Sequence, residues 1–250
     1  MSDYDRGVPR AVAAGTADMA VDAGLRGFML GVYNKVALGL LLSAALAYLT
    51  SSVAPVRDLM FNVNPVSGRV GVTMLGMIVG FAPLAILLVS GFAIRNPTPR
   101  TAGITYWSIV SLIGASLGIW VLVYTGVSIA STFLITAAAF GSLSLWGYAT
   151  KRDLSGFGSF LIIGLFGIVL ASIVNMFLHS AVTAFVVNIL GILIFAGLIA
   201  YDTQRLKMTY YSLGGDQAAM SVATNYGALR LYLDFINLFQ FLLQFLGSRR

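Results

Sequence analysis

The chain contains no cysteine and no glutamate, and its one histidine is His179. Without cysteine it forms no disulfide, and the redox state of its compartment leaves no mark on it. A zinc centre takes three or four Cys, His or carboxylate ligands, so a single histidine argues against one. Charge is scarce as well. Only 10% of the 250 residues are charged, whereas 58% are hydrophobic; an ordinary soluble domain carries about 25% charged residues. So few charges cannot cover a water-facing surface, and another solvent must surround the chain. No basic cluster is longer than two residues. The net charge of +6 therefore reads as positive flanks beside anionic lipid rather than as a nucleic-acid surface.

Enzymatic signatures are missing too. No G-x-S-x-G occurs, and His179 falls in a turn, away from any candidate serine. No G-x-x-x-x-G-K-[ST] occurs, which excludes an ATP-driven pump of that type. Internal repeats that would suggest a secondary transporter are absent. The first 25 residues scatter Asp3, Asp5, Arg6, Arg10, Asp18 and Asp22 among Ala and Gly. They lack the basic start and apolar run of a signal peptide.

What the sequence does have is long apolar runs. A hydrocarbon core takes about 20 apolar residues as helix. That rule gives seven spans, at about 36–54, 70–94, 102–124, 129–149, 157–178, 181–204 and 226–246. The expected architecture is an all-α, seven-helix membrane bundle over residues 28–250, preceded by a polar tail, 1–27. Asn96-Pro97-Thr98-Pro99 marks a helix stop and restart, and Lys151-Arg152-Asp153 a charged break. The longest connections are 55–69 and 205–225. Gly76-x-x-x-Gly80 and Gly114-x-x-x-Gly118 are read as close helix packing.

Positive charge sets the orientation. With the N-terminus in the cytoplasm, the inner side carries Arg26, Lys35, Arg95, Arg100, Lys151, Arg152, Arg205, Lys207 and Arg230. The outer side then carries Arg57, Arg69, Arg249 and Arg250. This asymmetry favours N-terminus in and C-terminus out.

The informative residues are ionisable groups inside apolar segments. An Asp at a helix centre costs about 2.5–3.5 kcal/mol even on the mild insertion scale, and is a functional candidate that must face the interior or water. Asp234 is the clearest. On a helix of 100° per residue, Arg230, Asp234, Asn237, Gln240 and Gln244 share one arc of roughly 120°. Such a stripe lines a wet path or forms a hydrogen-bonded core seam. It also makes the seventh helix a poor lipid-facing wall and predicts a central position for it. Asp202 lies near the inner end of the sixth span beside Arg205; a pathway group and an interfacial ion pair are both open for it. Together the two aspartates have the number, but not the Gly-containing contexts, of an aspartyl-protease dyad. Asn175 and Asn188 are expected to hydrogen-bond between helices.

Ala200-Tyr201-Asp202-Thr203-Gln204 and Leu231-Tyr232-Leu233-Asp234-Phe235-Ile236-Asn237-Leu238-Phe239 resemble the paired C-terminal signatures of the transmembrane Bax inhibitor motif family, the Bax inhibitor-1 family. The entry to the first helix at Val32-Tyr33 and the span count are similar as well. The resemblance implies a seven-helix bundle with a central last helix, in the inner membrane of a prokaryote. It implies a passive, pH-sensitive calcium leak channel, with Asp202 and Asp234 as a proton-sensing pair. It also places a basic latch at Arg95. Eukaryotic relatives suppress cell death, so a membrane scaffold that regulates proteases or death factors without conducting ions is the alternative. Some relatives carry an acidic residue in the second helix; residues 70–94 have none.

If Asp202 and Asp234 touch, they share one proton, because two adjacent carboxylates do not ionise together cheaply. Losing that proton leaves two like charges that separate or attract a divalent cation. Their oxygens suit calcium, as a transient metal contact rather than a stored cofactor. The partners expected are the bilayer, calcium and other membrane proteins.

Overall fold

The computed structural model describes residues 14–64, 69–93 and 95–250. The tail residues 1–13, with Arg6 and Arg10, and Ile94 at the expected end of the second span lie outside them. Nine helices and one short hairpin are found among the described residues: α1 (Ala14–Ser52), α2 (Ala54–Met60), β1 (Phe61–Val63), β2 (Val70–Val72), α3 (Met74–Ala93), α4 (Pro99–Ser116), α5 (Gly118–Val123), α6 (Gly126–Ala149), α7 (Ser155–Leu178), α8 (Ala181–Ser212) and α9 (Gln217–Leu246). Seven segments are long and apolar enough to cross a membrane, with α4 and α5 forming one of them.

Their outer surface confirms the solvent. Phe81, Phe92 and Phe177 are each 70% or more exposed. In water this would be an apolar patch far beyond what a monomer tolerates; in lipid it is the solvated face.

Two expectations are corrected. The segment 14–27, read as tail, is already helix and continuous with the first span. The connection 205–225 shrinks to four residues. α8 continues to Ser212, because Leu206 stays on its buried face while Arg205, Met208 and Tyr211 turn outward. The chain then reverses through Gly214 (φ 57°) and Gly215 (φ 89°), backbone angles that a side chain would strain. Asp216 restarts the helix, its carboxylate accepting from Ala218 N at 2.8 Å and Ala219 N at 3.1 Å.

Other junctions follow the sequence. Thr98 caps α4 through a reciprocal pair with Thr101, with Pro99 in the first turn. His179 is a turn residue in the left-handed region, φ 50°. Asn175 accepts from Ser180 N at 3.0 Å across this turn, so it holds the α7–α8 hairpin and not a bond between distant helices. The hairpin β1–β2, with Asn62 opposite Gly71, carries no legible period at three residues a strand.

The last helix is central. Half of its most apolar stretch is buried, against a third at most in any other span. It packs on α1, α4, α6 and α8. Two cores meet on it: one built from Val32, Val36, Tyr106, Ile109, Leu231 and Tyr232, the other from Leu161, Ile194, Leu198 and Leu238.

Candidate functional site: an aspartate pair between the last two long helices

The tight turn at 213–216 makes α8 and α9 antiparallel neighbours, and theirs is the most extensive helix contact of the bundle. Asp234 is buried at 6% exposure, and Asp202 is half-buried across from it. Their carboxyl groups lie close enough for each to act on the other. Two facing carboxyl groups can hydrogen-bond to each other only if one carries a proton. Oδ2 of Asp234 has no hydrogen-bond donor among the described residues.

Two guanidinium groups act on the pair from outside it. Arg230, one turn before Asp234, faces both carboxyls; Arg205 faces Asp202. Neither closes a salt bridge: among the described residues the one such contact is Arg57–Asp58, 2.9 Å, on the exposed α2. Arg95, the expected latch, stands exposed in the bend after α3, and the cations acting on the aspartates are Arg230 and, for Asp202, Arg205. The reason is local: Pro97 and Pro99 end the helix just there, and Arg95 leaves with the turn.

The predicted stripe divides along α9. Asn237 donates to Leu233 O of its own helix at 2.8 Å. Asn237 and Gln240 line a cavity of about 470 Å³ between α3, α4–α5 and α9, with Gly80, Pro83 and Trp120 on the other walls. The cavity stops short of Asp234. Gln244, farther along, is exposed. The described residues contain no cluster of three or more acidic, His or Cys groups that could hold a metal; the two aspartates offer oxygen donors alone.

Two groups escaped the sequence reading. Behind the aspartates the Tyr232 and Ser43 hydroxyls lie 2.6 Å apart, and Tyr106 donates to Lys35 O at 2.6 Å. A buried tyrosine needs a partner for its hydroxyl, so tyrosines in apolar spans were the available signal. Gln204, two residues after Asp202, accepts from Leu154 N at 2.9 Å and donates to Arg152 O at 2.7 Å. It pins the α6–α7 loop to α8.

A seven-span bundle around a buried last helix that carries an aspartate defines an integral membrane protein. The family model described as Inhibitor of apoptosis-promoting Bax1 matches residues 25–250, and the chain belongs to this family, the Bax inhibitor-1 family. A protein of Caulobacter vibrioides is 65% identical over 251 residues, all of both chains. Uncharacterized protein RP147 of Rickettsia prowazekii is 45% identical over 92% of each chain. Inner membrane protein YbhL of Escherichia coli K12 is 42% identical over 91% of this chain and 94% of that one.

Proposed function

We propose that the protein is a pH-sensitive, passive leak pathway for calcium or a similar cation, gated by proton sharing between Asp202 and Asp234. The carrying observation is that the two carboxyls act on each other across the α8–α9 interface. With one proton the pair ties the two helices together. Without it, two like charges face each other in a medium of low dielectric and repel strongly. Arg230 and Arg205 soften that repulsion, so the deprotonated state is reachable rather than forbidden. The tie then loosens, and the carboxylates offer a hard cation weak oxygen ligands that favour passage over storage. The cavity that Asn237 and Gln240 line lies farther along the same helix, with its two amides set in a mostly apolar wall. The name of the relative YbhL suggests an inner-membrane home for this chain, and its basic residues favour a cytoplasmic N-terminus and an outer C-terminus.

Calcium flux into proteoliposomes, followed from acid to neutral pH, tests this reading. Flux rises with pH for the wild type, and Asp234→Asn removes the dependence. An Asp234→Asn profile identical to the wild type overturns it. The family description, which names inhibition of a death-promoting factor, favours one alternative: a scaffold that regulates partners and conducts nothing. That reading gains if no pH-dependent flux is found and a partner co-purifies.

A further inference from the structure

At the end of the bundle that carries the α6–α7 loop, Lys151, Arg152, Arg205 and Lys207 line one pocket of about 330 Å³ together with Tyr201. Gln204 holds its loop wall by the two backbone bonds described above, so the cations are mounted on a fixed edge. Lys207 is positioned by Tyr148: its Nζ donates to Tyr148 O at 3.2 Å and lies 5.2 Å above that ring. Asp153 also lines the pocket. Its carboxylate accepts from Ser155 N at 2.8 Å; hydrogen bonds from Ser155 hold it below the usual carboxylate value, and it stays ionised. Four cations against one engaged carboxylate leave the pocket strongly positive. None of the four closes a salt bridge among the described residues.

An apolar groove of about 780 Å³ runs between α7 and α8, walled by Phe160, Gly164, Gly167, Val187, Leu190 and Ile194. The two spaces share a helix face. Val187, Leu190 and Ile194 are followed on α8 by Tyr201, Arg205 and Met208, at steps of three, four or seven residues that keep one side of a helix. On α7, Phe157 in the groove is two residues from Ser155 in the pocket. The Tyr201 ring lies against Gly158 at the junction.

A positive pocket in line with an apolar groove along the same two helices matches a molecule with an anionic head and a hydrocarbon tail. We propose that the pocket and groove hold one anionic phospholipid, with its phosphate among Lys151, Arg152, Arg205 and Lys207 and an acyl chain along the α7–α8 groove. A free phosphate would use the cations and ignore the groove. Arg205 belongs to both sites, facing Asp202 on one side and the pocket on the other. The lipid site does not depend on the leak reading and stands or falls by its own test.

The test is native mass spectrometry of the full-length protein in detergent, with dioleoyl phosphatidylglycerol, dioleoyl phosphatidylcholine or inorganic phosphate added. Phosphatidylglycerol is expected to bind about tenfold more tightly than phosphatidylcholine. Lys151 and Arg152 are exposed, so their double change to Gln leaves the fold intact. It weakens phosphatidylglycerol by about thirty-fold, at the usual gain per basic residue near an anionic surface. Gly164→Phe, which fills the groove where Ile194 already lies 3.1 Å from a built Cβ, also weakens it, whereas Arg57→Gln at the other end of the bundle does not. Equal binding of the two lipids overturns the proposal, as does an unchanged double variant. Displacement of phosphatidylglycerol by an equal concentration of inorganic phosphate assigns the site to free phosphate and overturns the lipid.

Discussion

Gly147 of α6 lies directly against the backbone of Ala200 in α8, two residues before Asp202. A Cβ built there falls inside contact distance of the Ala200 carbonyl oxygen, and 2.9 Å from its Cα. The site's first aspartate is therefore mounted on a helix seated as closely as a backbone allows. Gly147→Ala forces α8 off α6, and overpacking of this kind costs about 1–3 kcal/mol. Thermal unfolding in detergent should show the loss, together with altered pH dependence of flux.

The Tyr232–Ser43 contact holds α9 to α1 on the face opposite the aspartates. Interhelical hydrogen bonds in membranes average about 0.6 kcal/mol, with a maximum near 1.7. Tyr232→Phe should destabilise within that range. Ser43→Ala should cost a similar amount, and the double variant should cost less than the sum. Strict additivity would mean that the two hydroxyls do not interact.

Arg230, not Arg95, is the cation that faces the pair. A positive charge favours the ionised carboxylates, so Arg230→Gln makes the proton harder to remove. Its flux profile should move toward alkaline pH, and that of Arg95→Gln should stay in place. The reverse pattern would restore Arg95 as the latch.

The C-terminal residues close one end of the bundle. Arg250 N donates to Val123 O at 2.9 Å, Thr125 N donates to Ser248 O at 3.1 Å, and Arg249 lies over the Tyr124 ring. Removing residues 248–250 frees the turn between α5 and α6. Amide exchange at Thr125 should quicken, while exchange deep in α9, at Leu238, should not.

Much of this was legible in the chain. Seven spans follow from hydropathy, because lipid admits only segments that satisfy their own backbone. The centrality of α9 follows from Asp234, which no lipid-facing helix would carry. What stayed hidden was relational. Nothing in sequence spacing tells that Asp202 meets Asp234 or that Arg95 turns away, because both depend on how separate helices cross. The length of α8 was hidden for another reason: beyond Gln204 its helix leaves the apolar region, and hydropathy loses sight of a helix that continues in polar surroundings. Gln204 itself looked like an ordinary polar residue near a helix end; its value lies in two backbone groups 50 and 52 positions away.

In the proposed mechanism one shared proton ties α8 to α9. The absence of cysteine makes it directly measurable, since spin labels at Val186→Cys and Gln244→Cys, both exposed positions, report the separation of the two helices without background. In liposomes, the label distance should lengthen as pH rises, and in the Asp234→Asn background it should be the same at every pH. An invariant distance in the wild-type pair, or the same lengthening without Asp234, would contradict the proton-dependent tie.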